Sequence, residues 1–251
     1  MTLLSIVVPV RNEESRLPAT LANLTAALAA TRKPCEVVVV DNTSTDRSAE
    51  VVREFRSRSI PVWLIRCAQP GKGAAVRTGV LRTDSRYVGF CDADLATDLA
   101  ALVPTLGFLS TGVNVVVGSR AHPNSIVRAR HTKVRQAGAW AFRHAANRIV
   151  PGVGDTQCGF KFFDRYTADT IFRPLRTPGW SFDVELLARA QRIGAMIVEL
   201  PVSWTDMPGS TFRPMRDGYR SFAALTRIRA ILGAEKHSAA APVVTHVAEV
   251  A

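Results

Sequence analysis

At 251 residues, 47% of them apolar, the chain is long enough for one sizeable α/β domain and too apolar for wholesale disorder. Its formal net charge of +11 narrows the partners to anionic ones: nucleic acid, anionic lipid or phosphate-bearing substrates. Four separated cysteines, Cys35, Cys67, Cys91 and Cys158, argue against zinc knuckles and a disulfide framework and favour a reduced, cytosolic compartment.

In chain order, the apolar start Leu3–Val10 lacks a basic n-region and meets Pro9 and Arg11, so it reads as a first strand, over Leu4–Val10, and not as a signal peptide. Leu17, Leu21, Leu24 and Leu28 follow at helical spacing. Glu36–Asp41 predicts a second strand, its four consecutive valines suited to burial on both faces of a parallel sheet. Helices at Arg47–Arg56, Gly71–Arg82 and Leu99–Leu109 then alternate with strands at Val62–Arg66, Tyr87–Asp92 and Val113–Gly118. This beat predicts a doubly wound sheet with right-handed crossovers, in which ligands sit outside the carboxyl ends of the strands.

After Arg120 the beat changes. A basic helix is expected over Arg130–Ile149, a turn-rich stretch from Pro151 to Gly159, and a short strand at Phe160–Phe163. A helix at Ser181–Ile193, a strand at Met196–Val202 and a basic amphipathic helix over Arg216–Leu232 complete the domain, residues 1–236. The apolar face of that last helix (Phe222, Leu225, Ile228, Ile231, Leu232) reads as core before membrane contact. Residues 237–251, without helical periodicity, read as a disordered tail. No apolar run is long enough to span a bilayer, so any work on a lipid is expected from the membrane surface.

The sharpest local signal is Asp92-Ala93-Asp94, two carboxylates at the exit of an apolar strand. Buried side by side they repel unless a cation sits between them, and Mg²⁺ or Mn²⁺ bridging to a nucleotide diphosphate would satisfy both. Gly71-Lys72-Gly73 opens a helix, where glycines permit close backbone approach and Lys72 adds a cation to helix N-terminal amides. Asp41 could accept a base N–H, and Asn42, Thr43 and Ser44 equally suit helix capping. Pro9–Glu13 is a turn on which a base or ribose could rest. Between Arg120 and Arg148 stand Arg120, Arg128, Arg130, Lys133, Arg135, Arg143 and Arg148 without one carboxylate, and a second basic stretch holds Arg213, Arg216, Arg220, Arg227 and Arg229. They read either as a solvated surface or as a phosphate- and membrane-facing edge. His131 and His144 read as surface residues.

The series Val8-Pro9-Val10-Arg11-Asn12-Glu13-Glu14, Val39-Val40-Asp41, Gly71-Lys72-Gly73 and Asp92-Ala93-Asp94 resembles family 2 glycosyltransferases. Gly118–His122, Asp155–Lys161, Trp180–Leu187 and Trp204-Thr205-Asp206 resemble, more specifically, their dolichyl-phosphate β-glucosyltransferase branch and its bacterial polyprenyl-phosphate relatives. The resemblance covers about Leu3–Leu232 and implies a GT-A type, Rossmann-like mixed sheet flanked by helices, with a donor half over about 1–119 and an acceptor half over about 120–236.

Carried over, it places Pro9, Asn12, Glu13 and Asp41 around the nucleoside and Lys72 by the donor. Asp92 and Asp94 would flank the sugar nucleotide, Asp94 being the more direct ligand of Mg²⁺ or Mn²⁺. Arg120 and Arg135 would bind the acceptor phosphate, and Gln157, Trp180 and Asp183 would lie near the transferred sugar. Asp155 would be a base or, slightly preferred, a structural turn residue.

Two departures stand out: Ala96 occupies a position where related mannosyltransferases often have a metal-binding glutamine, and the N-terminal anchor of eukaryotic members is lacking. The implied reaction is inverting transfer of a hexose, best glucose from UDP-glucose, to a polyprenyl phosphate, by a protein peripheral on the cytoplasmic membrane face. GDP-mannose and UDP-N-acetylhexosamines are alternative donors. A basic nucleic-acid-binding protein would leave Asp92 and Asp94 unexplained, and a sugar nucleotidyltransferase would usually show a glycine-rich signature where Pro9–Glu13 stands.

Overall fold

The computed structural model describes residues 2–129, 133–207, 214–235 and 244–246. Strands β1 (Leu4–Val10), β2 (Cys35–Asp41), β3 (Val62–Arg66), β4 (Tyr87–Cys91) and β5 (Val115–Ser119) alternate with helices α1 (Leu17–Ala30), α2 (Ser48–Glu54), α3 (Lys72–Val80) and α4 (Leu102–Ser110), the last preceded by a 3₁₀ turn at Leu99–Ala101. Then come β6 (Ile126–Arg128), α5 (Lys133–Asn147), β7 (Phe160–Asp164), α6 (Arg165–Phe172), α7 (Phe182–Arg192), β8 (Ile197–Pro201), β9 (Ser203–Thr205), α8 (Pro214–Ala234) and β10 (Val244–His246).

The main sheet has the order β10-β8-β5-β7-β4-β1-β2-β3. All its pairings are parallel except those of β7, which runs antiparallel between β4 and β5. A parallel pair, β6 and β9, stands apart. Because successive strand residues face opposite sides, β1 sends Val7 to one core and Ile6 and Val8 to the other. The first core packs residues of α3, α6, α7 and α8 on the sheet, and the second packs α1, α2 and α4. Leu17, Leu21, Leu24 and Leu28 are all fully buried, and so are the valines of β2, as both-face burial requires.

The last helix buries Leu225, Ile228 and Leu232 while Phe222 remains exposed, so its apolar stripe is mainly core. Helix α6 is absent from the sequence reading, although Asp164 caps it by accepting the Thr167 N–H at 2.8 Å. The three-residue strands β6 and β9 are too short to show a period. Of the expected tail, only Val244–His246 are described, and they pair with β8; Arg130, His131 and Arg213 also lie outside the described residues.

Candidate active site

Parallel β1, β2 and β4 end together, and the turns that leave them are stitched to one another. Asn12, in the left-handed region at φ 57°, donates its N–H to Ser44 Oγ (3.0 Å) and accepts the Thr45 N–H on its Oδ1 (2.8 Å). The Glu13 N–H reaches Ser48 Oγ at 2.8 Å, and Asp41 Oδ1 accepts the Ser44 N–H at 3.1 Å. Buried Asn42 donates to the Gln69 carbonyl (2.7 Å) and accepts the Gly71 N–H (2.7 Å), fastening the end of β2 to the entry of α3. Of the expected nucleoside residues, Pro9 (opposite Val40) and Asp41 (opposite Val10) stand one register position apart at the ends of β1 and β2, while the Asn12 amide oxygen is engaged in holding the turn. Glu13 pairs with Arg16; its burial, with the charge of Asp94 adding to it, raises its carboxyl above the usual range.

The glycines around Lys72 are set by close contacts. Gly71 has φ 127°, and a Cβ there would lie 2.1 Å from the Pro178 carbonyl oxygen; at Gly73 it would strike Phe182. This brings the segment before α7 against the start of α3. Lys72 Nζ bonds Asp92 Oδ1 at 2.6 Å and lies 5.3 Å from the centre of the Trp180 ring. Burial pulls the Lys72 ammonium down, but Asp92 and Asp183 more than offset that and leave it above its ordinary value. Asp94 is raised by burial and by the neighbouring Asp92, with the Ala96 N–H on its Oδ1 (3.1 Å) acting the other way.

The donor chemistry fits a divalent cation held jointly with a diphosphate. Two adjacent carboxylates disfavour each other's ionisation, a cost that a cation between them removes. Among the described residues no group of three His, Cys, Asp or Glu side chains converges, so phosphate oxygens would have to supply much of the coordination. Ala96 adds no ligand: its N–H is on Asp94 and its carbonyl accepts the Thr205 N–H at 2.9 Å.

Across the crevice Arg120 is forked on Asp155, with Nε to Oδ2 at 2.7 Å and Nη2 to Oδ1 at 2.9 Å. Asp155 also accepts the N–H groups of Arg120 (3.0 Å) and Gln157 (3.1 Å). Buried Glu199 on β8 in turn receives the Gly154 and Asp155 N–H groups at 2.8 and 3.0 Å. Burial alone would raise Asp155, but the Arg120 guanidinium holds its carboxyl well below the usual carboxylate range. Asp155 is thus fully bonded and holds Arg120 in place. The guanidinium also lies 5.4 Å from the centre of the Trp204 ring, and the segment that runs on from Asp155 reaches Gly159, whose carbonyl accepts the Asp92 N–H at 3.2 Å, so the anchored cation and the carboxylate pair stand on joined segments. Arg135 belongs to α5, where the backbone path is described.

Between the two sides lies a feature absent from the sequence reading. Lys161, on β7 and fully buried, bonds Asp183 Oδ1 at 2.7 Å and the Cys158 carbonyl, with the Phe90 ring 5.5 Å away. The available signal was a lysine inside Phe160–Phe163, an otherwise aromatic core strand. Gly159 was missed too: a Cβ there would lie 2.0 Å from Asp92 Oδ2, so its bareness is what lets Asp92 lie against β7. Gln157 has a buried Nε2 with no partner among the described residues, a donor left over beside the crevice.

The model of glycosyl transferase family 2 matches residues 5–172. The chain belongs to that family. It is a glycosyltransferase, with the α/β architecture of the GT-A enzymes. The dolichyl-phosphate beta-glucosyltransferase of Homo sapiens is 35% identical over 226 residues, 84% of this chain and 70% of that protein. That of Saccharomyces cerevisiae is 33% identical over 250 residues, 90% and 74% of the two chains. Among solved structures, glucosyl-3-phosphoglycerate synthase from Mycobacterium tuberculosis with uridine diphosphate superposes with a TM-score of 0.68 at 20% identity, covering 94% of this chain and 82% of that one. The same enzyme with Mn²⁺, UDP-glucose and phosphoglyceric acid gives 0.64 at 18% identity, with coverages of 94% and 81%. These two show the shared fold.

Proposed function

We propose that the protein transfers glucose from UDP-glucose to a polyprenyl phosphate of the dolichyl type, inverting the anomeric carbon. The observation that carries this reading is Arg120, forked on Asp155 at one end of the loop whose Gly159 carbonyl accepts the Asp92 N–H: a fixed cation for an anionic acceptor on the segment joined to a carboxylate pair suited to a metal–diphosphate donor. The names of the family members at 32–35% identity supply the glucose and the lipid phosphate. Mg²⁺ or Mn²⁺ between Asp94, Asp92 and the diphosphate would neutralise charge on the departing nucleotide.

The residues present divide the remaining work. Arg120, with Arg135, binds and orients the acceptor phosphate; its oxygen is already anionic near neutral pH, so no general base has to remove a proton. Pro9 and Asp41 flank the nucleoside, Lys72 balances charge beside Asp92, and Gln157, Trp180 and Asp183 surround the sugar. Among the described residues no helix is long and apolar enough to cross a membrane. Contact from the cytoplasmic face would then fall to exposed positions such as Trp140, Arg143 and Arg148 of the basic segment, an aromatic and cationic set suited to an anionic lipid surface.

The test is a panel of radiolabelled donors offered with polyprenyl phosphate and Mn²⁺. Label from UDP-glucose in the lipid fraction supports the reading. Label from GDP-mannose or a UDP-N-acetylhexosamine in its place would move the protein to another sugar on the same scaffold.

A further inference from the structure

We infer that Lys161 is a positioning residue for the donor site: by holding Asp183 it leaves Lys72 free to stay on Asp92. This inference rests on the sugar-nucleotide reading of the crevice. Four alternating charges run through the site, Lys161 to Asp183 at 2.7 Å and Lys72 to Asp92 at 2.6 Å, and the starts of α3 and α7 abut, a Cβ at Gly73 falling 2.5 Å from Phe182 Cβ, so that Lys72 and Asp183 attract each other. Asp183 therefore stands between two lysines, and only one of them is committed to it. Lys161 is wholly buried between the Cys158 carbonyl, the Phe90 ring and Asp183, and Asp183 is the carboxylate it bonds.

Stability is a poor reason for such a pair. Desolvating two charges costs about as much as their attraction returns, so an apolar pair of similar volume would serve the core as well. What the pair does supply is a fixed, compensated anion at the start of α7, beside Trp180, whose ring Lys72 covers. Without the Lys161 ammonium, Asp183 is a buried, unpaired carboxylate with Lys72 the next cation in reach. Lys72 then leaves Asp92 for Asp183, and the face that meets the donor diphosphate loses its cation.

A mutant cycle read by titration calorimetry with UDP and Mn²⁺, alongside thermal melting, tests this. Lys161→Met should weaken UDP binding at least tenfold, as Lys72→Met does, and the two together should be no worse than Lys72→Met alone. Lys161→Met with Asp183→Asn removes the competing anion as well, so it should fold and bind UDP within about threefold of the parent. Sugar transfer by that double variant should stay low, because Asp183 is placed by the sugar. Parental UDP affinity in folded Lys161→Met, additive losses with Lys72→Met, or weak binding by the folded double variant would each overturn the inference while leaving the donor reading in place. A parent protein that binds no UDP with Mn²⁺ would overturn both.

Discussion

The Asp92–Asp94 turn half-buries its carboxylates and the Asp155 loop buries its own, and the two handle that charge in opposite ways. Asp155 is fully satisfied by the protein, with a forked guanidinium and two backbone N–H groups, and its acidity is strengthened accordingly. Asp94 receives one backbone N–H and faces a second carboxylate, so burial and repulsion weaken its acidity. A completed arrangement of this kind is structural, whereas an incomplete one is prepared for something that arrives. Under the proposed function, the donor side would be unfinished until a cation and diphosphate bind, and the acceptor side finished in advance, its guanidinium held in place.

Substitutions should separate the two most sharply in activity. Asp94→Asn should lower sugar transfer by about two to three orders of magnitude with the fold retained, since it removes charge from the metal–diphosphate position. Steady-state rates with a circular-dichroism check on the variant read this out, and a loss below threefold would end the metal assignment. Arg120→Ala should raise KM for the lipid phosphate about tenfold or more, the loss of a charge-assisted contact, while the Kd for UDP stays within about twofold. An equal loss of donor binding would show that the two sides are not separable.

Stability should run the other way. Asp155→Ala leaves the half-buried Arg120 guanidinium and two N–H groups without their acceptor, and should destabilise the protein by about 3 kcal/mol in urea titrations. Asp94→Ala should cost little in metal-free protein, because it removes a repelled charge.

The smallest effect is in pH. A depressed carboxyl contributes stability that is present above the ordinary aspartate pKa, about 3.9, and lost as pH falls through the folded value. Asp155 is in that position, so acid should destabilise the parent more steeply below about pH 4 than it does Asp155→Asn. Melting temperatures from pH 6 down to pH 3 check it, and parallel curves would remove Asp155 from the acid-sensitive groups.

Much of this was legible in the sequence where chemistry and period are local. The leucine stripe of α1, the valines of β2 and the carboxylates after β4 announce themselves by spacing and by contrast with their neighbours. What depends on non-local pairing was not legible. β7 supplies Lys161, which enters the site only because that strand runs antiparallel between β4 and β5, setting Phe90 opposite Lys161. No period reveals a strand order. Glu199 holds the Asp155 loop across 44 residues of sequence, and Gly159 matters through one close approach to Asp92. Arg120 and Asp155 were both singled out, but their forked pairing, which joins them into one unit, is visible only in three dimensions.

If the anchored Arg120 serves a lipid phosphate, the choice of acceptor is the deciding property. The most direct measurement is the partition of label from radiolabelled UDP-glucose after reaction with polyprenyl phosphate and, separately, with a soluble phosphomonoester such as 3-phosphoglycerate, each with Mn²⁺ and with chelator. Chelator-sensitive label is expected in the organic phase with the lipid, and none transferred to the soluble acceptor. Label transferred only to the soluble acceptor would contradict it.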